Sequence, residues 1–207
     1  YAIVKNGGTW KFLDEKWKEK KSVQFDSWLG THGAVALIIK GGKVWQMDLK
    51  SFEEAANLYF GEYQDFEIVK SEDEVSGVVG KNGEILMPFE YKWIAQEGED
   101  GDEFFVAEKG GKDGIYGLDG KNLVPHNYED LIFLEKKGDK NYFSVGAPGE
   151  AGLAYWDKAS NKIVIISERI YKNVSYHYGD KKFTCETMDG EYHDLDDEGK
   201  LIEEAEE

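Results

Sequence analysis

The chain is short of several things. It has three prolines, one cysteine and no apolar run near the roughly 20 residues that a helical membrane span requires. The lone Cys185 excludes an intramolecular disulfide. It sits in the alternating run KKFTCETM, where a buried, inert thiol is the plainer reading than a nucleophile or metal ligand. Basic residues are scarce too. Twenty-five Lys and Arg against 42 Asp and Glu leave a net charge of −17. Duplex nucleic acid needs a basic surface to release counterions, so it is excluded as a partner. Anionic membrane is disfavoured for the same reason. The acidity fits plain solubility, a basic partner or divalent cations.

What is present is a folding composition. Hydrophobic residues make up 41% of the 207 and aromatic residues 14%. Tyr, Phe and Val favour strands, and 24 glycines point to many turns. A chain of this length can bury roughly 70% of its unfolded surface, so it needs no staples. It begins at Tyr1 rather than Met. A removed signal peptide, and so an extracytoplasmic protein, is the expectation, with a trimmed cytoplasmic one as the alternative.

The strongest signal is internal repetition. GVVGKNGEILMPFEYKWI from Gly77 and GIYGLDGKNLVPHNYEDL from Gly114 align without a gap. Pro88 matches Pro125 and Tyr91 matches Tyr128. A third copy, from Gly152, has a longer turn and no proline, but Tyr171 keeps the aromatic position. The periods are 37 and 38 residues, a length that points to a repeat architecture. Turn residues that tolerate positive φ follow each copy's last strand: Gly110-Gly111, Pro148-Gly149 and Asp189-Gly190. The frame extends backwards through VKNGGTWKFLD, IIKGGKVWQMD and the charged turn of FEIVKSEDEVSGVV. Lys11, Trp45, Gly77, Gly114, Gly152 and His193 then fall at equivalent places, and six hairpins tile the chain.

The phrases VKNGGTWKFLD, KGGKVWQMD, GKNGEILMPFEY and GLDGKNLVPHNYEDL resemble the bacterial WG (KWG) β-repeat family over nearly the whole chain. The resemblance is divergent. The family's Trp stands in place only as Trp10 and is replaced by Val44, Ser76, Asp113, Ala151 and Tyr192. It implies a bacterial binding or scaffold part, often outside the cytoplasm.

The expected fold is all-β: about six tandem hairpin or meander units, as an open twisted array or a propeller-like ring. One repeat domain covers 1–207, irregular over 1–75, regular over 76–202, with an acidic tail at 203–207. Two short helical insertions are expected in the N-terminal half. One is DEKWKEKKS, whose lysines Lys16, Lys18, Lys20 and Lys21 would pair with acids at i,i+4. The other is SFEEAANLYF, which carries a capping box of Ser51 and Glu54. A single hairpin leaves an apolar face exposed, so neighbouring units must stack, with the recurrent Tyr capping the stack.

Candidate sites are sparse. Trp28, Trp93, Trp156, Tyr59, Tyr63 and Tyr176 offer rings for a sugar or peptide platform, although repeat core is the plainer reading. The run EGEDGDE supplies Glu97, Glu99, Asp100 and Asp102 as weak Ca²⁺ candidates, against a solvated loop. DLDDEG, from Asp194, resembles the start of an EF-hand loop, but Ala205 stands where that loop needs Glu, and a repeat turn explains it better. His32, His126, His177 and His193 show no metal spacing, and no nucleophile elbow or phosphate loop is present.

The expectation is therefore a non-enzymatic binding module for a protein or glycan partner, with no cofactor. A carbohydrate-active enzyme would instead need a deep pocket with two carboxylates about 5–9 Å apart. A structural spacer would need neither a pocket nor an exposed aromatic patch.

Overall fold

The computed structural model describes residues 2–6, 8–55, 65–99, 101–147 and 149–202. They form 21 strands in six small antiparallel sheets, and no helix. Each sheet is a meander centred on one of the six hairpins. The first runs β1 (Ala2–Asn6), β2 (Thr9–Leu13), β3 (Glu19–Val23). The second runs β4 (Ser27–His32), β5 (Val35–Lys40), β6 (Lys43–Asp48), β7 (Glu54–Ala55). The third runs β8 (Phe66–Lys70), β9 (Ser76–Gly80), β10 (Ile85–Tyr91). The fourth runs β11 (Trp93–Glu97), β12 (Phe104–Lys109), β13 (Lys112–Tyr116), β14 (Asn122–Tyr128). The fifth runs β15 (Leu131–Lys137), β16 (Lys140–Val145), β17 (Gly152–Asp157), β18 (Lys162–Ile165). The sixth runs β19 (Asn173–His177), β20 (Lys182–Glu186), β21 (Tyr192–Leu195).

The chain divides between Lys92 and Trp93 into two compact units of three sheets each. Within each unit, successive sheets share a core. In the second unit, Phe104, Val106, Ile115 and Val124 of the fourth sheet pack with Phe143, Val145, Ala154 and Trp156 of the fifth. The other face of the fifth sheet turns Tyr142 and Leu153 onto Val174, Phe183, Cys185 and Leu195 of the sixth. Alternate residues of one strand point to opposite faces, so Tyr142 and Phe143 serve different cores. The first unit repeats the scheme. Ala36, Ile38 and Met47 meet Phe12 of the first sheet, while Leu29 and Val44 meet Val69 and Val79 of the third. Middle strands are thus buried on both faces, and neighbouring sheets cover the apolar surface that one meander leaves open. The repeat tyrosines take the expected place. Tyr91 and Tyr171 are buried, and Tyr128 packs against the core between the fourth and fifth sheets.

Among the described residues, the expected helical insertions are not seen. DEKWKEKKS forms a tight turn and then β3, which pairs Lys21 with Phe12 and Ser22 with Lys11. Its charges pair between strands and across the turn rather than along a helix: Glu19 holds Lys11 of β2 at 2.8 Å, and Lys20 lies 3.7 Å from Asp14. The reason is pairing: β2 has a free edge, and a lysine-rich strand suits a solvated sheet edge. At the second place, the Asp48 carboxylate accepts the amides of Lys50 and Ser51 and closes a turn. Glu54 and Ala55 then pair with β6, and the Glu54 carboxylate goes to Lys40 instead of capping a helix. Residues 56–60 of this segment lie outside the described residues.

A single turn design recurs. Asp14, Ser71, Gly80, Gly117, Thr187 and Asp196 each receive an amide three residues on and donate to a carbonyl four residues on. The residue that donates that amide is left-handed. Glycine fills that place at Gly83, Gly120, Gly190 and Gly199, but Glu74 fills it between β8 and β9, with φ 64°, and Trp17 between β2 and β3, with φ 59°. Trp17 is 73% exposed, so it gains little packing there. Left-handed backbone costs a side-chain-bearing residue about 1–2 kcal/mol, partly offset by the entropy glycine loses on folding. Trp17→Gly is therefore expected to stabilise the protein by about 0.5–1 kcal/mol, read as a higher urea midpoint at unchanged slope.

Candidate functional site

A group of adjoining hollows lies in the first unit. It begins at an irregularity in β4. Trp28 pairs with Ile38 and Gly30 with Leu37, which leaves Leu29 as an extra, bulged residue. A bulge frees a carbonyl from the ladder and re-aims its neighbours. The Leu29 carbonyl instead accepts the Glu72 amide at 2.8 Å. That bond fastens the charged turn Ser71–Val75 of the third sheet to the second sheet beside Trp28. The Glu72 side chain then lies over Gly30, its Cγ 3.3 Å from where a Cβ would stand. Trp10 approaches from the first sheet. Its ring stacks on Phe25 at 4.8 Å, and its indole N–H donates to the Phe25 carbonyl at 3.1 Å.

Two hollows open between these elements, of about 530 and 390 Å³, and both are lined by Trp10, Trp28 and Asp73. A third, of about 490 Å³, shares Leu29 and Thr31 with them and has Leu37, Ile68 and Val69 in its wall. The two indoles are half-buried and the acids of the turn are exposed. Among the described residues, neither Glu72 nor Asp73 has an ion-pair partner, whereas Glu74 in the same turn is held by Lys70. The Lys5 ammonium lies 5.2 Å from the Trp10 ring centroid. Ser71, 7% exposed, lines the smaller hollow, and its hydroxyl is buried without a hydrogen-bond partner. Such a group is uncommon in a folded protein, and Asn141 and Trp156 hold others in the second unit.

Of the six aromatic candidates, Trp28 enters this cleft. Trp93 opens β11 in the second unit and is 37% exposed. Trp156 is core: it is 6% exposed and packs edge-on against Phe104 at 5.5 Å. Tyr176 packs on Phe183 and Tyr178, with the Lys137 ammonium 5.6 Å away. Tyr59 and Tyr63 lie outside the described residues. Trp10, Ser71, Glu72 and Asp73 were not singled out from the sequence as site residues. Trp10 was visible there as the repeat's tryptophan, and the acids only as a charged turn.

Of the acidic run, Glu97 is the last residue of β11, and Asp102 and Glu103 immediately precede β12. Burial pushes the Glu97 carboxyl above its ordinary value. Burial opposes ionisation of Asp102 too, but the Lys158 and Lys136 ammoniums outweigh it and hold this carboxyl below the usual range. Glu99 contributes its carbonyl to the Asp102 amide at 3.1 Å, and Asp100 lies outside the described residues. The 194–199 run is the recurrent turn: Asp196 accepts the amides of Glu198 and Lys200 at 2.8 and 2.9 Å. His126 is held at both nitrogens, 2.9 Å from the Lys112 carbonyl and 2.7 Å from the Tyr116 hydroxyl. A carbonyl only accepts, so Nδ1 carries the proton. Cys185 is fully buried, and burial pushes its thiol above the ordinary value.

Two buried acids face each other across β12 and β13, Glu108 and Asp113. Each holds backbone: Glu108 accepts the Gly111 amide at 2.8 Å and Asp113 the Leu131 amide at 2.7 Å. Burial, with the charges of Asp130 and Glu108, pushes the Asp113 carboxyl up despite the Leu131 bond. The folded state therefore holds this proton more tightly than the unfolded chain does. That favours folding below the unfolded value and is lost as pH rises through the folded one. Asp113→Asn keeps an acceptor oxygen and does not ionise. It should be more stable than the parent at neutral pH, with the gain fading towards about pH 4 in urea titrations.

No family model matches the chain, and no curated protein matches it. Among solved structures, it is similar to the C-terminal WD40 domain of Sif2, with a TM-score of 0.38, 10% identity, and coverage of 91% of this chain and 61% of that one. It is also similar to the acylaminoacyl peptidase of Pyrococcus horikoshii, with a TM-score of 0.32, 14% identity, and coverage of 95% and 48%. The chain spans less than two thirds of either.

Proposed function

We propose that this chain is a non-enzymatic interaction module, built on divergent WG-type repeats, that engages a partner through the cleft of Trp10, Trp28 and the 71–75 turn. The observation that carries the reading is the buried, unpartnered Ser71 hydroxyl in a hollow walled by two half-buried indoles. Binding sites combine apolar, aromatic walls with a few placed polar groups, and this cleft has both. Indoles supply large contact area at low entropy cost, which is why they recur where partners dock. The repeat frame supports the family reading. Gly77 and Gly114 occupy matching places, each beneath the residue that follows the repeat proline.

The test uses the six indole N–H resonances of the ¹⁵N-labelled chain. A protein-like probe, a blocked tri-lysine peptide, and a glycan probe, cellotetraose, are titrated separately. The reading expects one of them to shift the Trp10 and Trp28 signals while Trp156 stays fixed. Shifts confined to Trp93 or Trp17, or none with either probe, would overturn it.

A further inference from the structure

The cleft's own chemistry narrows the partner. We infer that it receives a lysine or arginine side chain of a protein partner, the charged head meeting Glu72 and Asp73 and the stem lying along the indoles of Trp10 and Trp28. This deepens the proposed function and rests on it.

Three observations point the same way. First, Glu72 and Asp73 are carboxylates without ion-pair partners among the described residues. Two unneutralised acids on one rim favour a cation, and the net charge of −17 steers basic partners towards the whole surface. Second, an indole face attracts a cation through its quadrupole, and long basic side chains lay their methylenes on aromatic surface. The chain already does this to itself: Lys5 seats its ammonium on Trp10. Third, the Ser71 hydroxyl can accept a hydrogen bond from an ammonium or guanidinium, which carries donors only.

Lys5 gives the inference a distinctive consequence. It lines the smaller hollow and is exposed, so it acts as a tethered competitor for the ring that a partner's lysine would use. An anionic ligand would treat Lys5 as a contact, but a cationic one must displace it. The sign of the Lys5→Ala effect therefore separates the two.

The experiment is calorimetric titration of the full chain with the blocked tri-lysine peptide, and with tri-glutamate and cellotetraose as comparators. The tri-lysine peptide should bind, more weakly as salt shortens the Debye length. Glu72→Gln with Asp73→Asn should weaken it about tenfold, close to 1.4 kcal/mol. Lys5→Ala should tighten it about threefold. Asp65→Asn, which removes an exposed charge of the same unit away from the cleft, where it pairs with Lys81, should change it less than about twofold, within what an exposed ion pair is worth. Ser71→Ala should weaken binding while raising the unfolding midpoint, because it deletes an unsatisfied buried hydroxyl.

Loss of affinity in Lys5→Ala, or none in the double variant, would overturn the inference. Cellotetraose or tri-glutamate binding at the Trp10 and Trp28 indoles in place of tri-lysine would also overturn it, while leaving the cleft as the partner site. Failure of all three probes would overturn both.

Discussion

Phe143→Ala is expected to destabilise the protein by about 3–5 kcal/mol, the range for deleting a fully buried phenylalanine. Phe143 is 0% exposed in the middle of β16, opposite Phe133 on one side and Ala154 on the other. Its ring lies 5.8 Å from Phe104 and 5.7 Å from Phe133. Phe104 belongs to the fourth sheet, so the cavity left by alanine would open between two sheets and not within one. Backbone ladders hold both walls, which limits collapse of the void. A domain of ordinary stability has about 5–15 kcal/mol in all, so the loss should move the urea midpoint a long way. Phe143→Leu keeps most of the volume and should cost far less. A loss in Phe143→Ala below about 1 kcal/mol would mean that the shared core does not hold these sheets together.

Gly114→Ala should cost about 1–3 kcal/mol, by overpacking rather than by backbone strain. A Cβ at Gly114 would stand 2.7 Å from the Val124 carbonyl oxygen and 3.3 Å from the His126 ring. At Gly77 the same atom would meet the Met87 oxygen at 2.9 Å and the Phe89 ring at 3.0 Å, so Gly77→Ala should behave alike. Here the repeat's proline-to-tyrosine segment crosses its neighbour strand. The pairing slips there, between Met87 and Tyr91 in one sheet and between Asp113 and Ile115 in the other. The blocking atom is backbone, which cannot rotate away. Gly179→Ala is the control: no atom lies within 4 Å of its Cβ position, and the change should stay within about 0.5 kcal/mol. Equal effects at Gly114 and Gly179 would contradict the steric account.

These glycines also show what the sequence could convey. Gly77, Gly114 and Gly152 recur at a fixed period because a strand crossing demands them, and that demand is local enough to leave a mark. The hairpin turns are legible for the same reason, since each needs a left-handed residue at one place. β3 was not legible. Its Lys and Glu residues have no strand preference, and only the free edge of β2 makes them a strand. Trp156 shows the limit of composition as a guide to sites: a tryptophan at a core-facing position of β17 looks like one at a surface. The cleft was least legible. It depends on a one-residue bulge at Leu29 and on a hydrogen bond from Glu72, 43 residues away. Nothing in WLG or SED announces either. Trp28 was visible as a ring and the acids as a turn, but their meeting is a property of the stacked sheets.

The most direct test of the cleft as the partner site is photo-crosslinking with a lysine peptide that carries a benzophenone group, read by mass spectrometry of the digested full chain. The account predicts adducts on Thr9–Leu13, Ser27–His32 and the 71–75 turn, lost when free tri-lysine competes. Adducts confined to residues beyond Trp93, competed equally well, would contradict it.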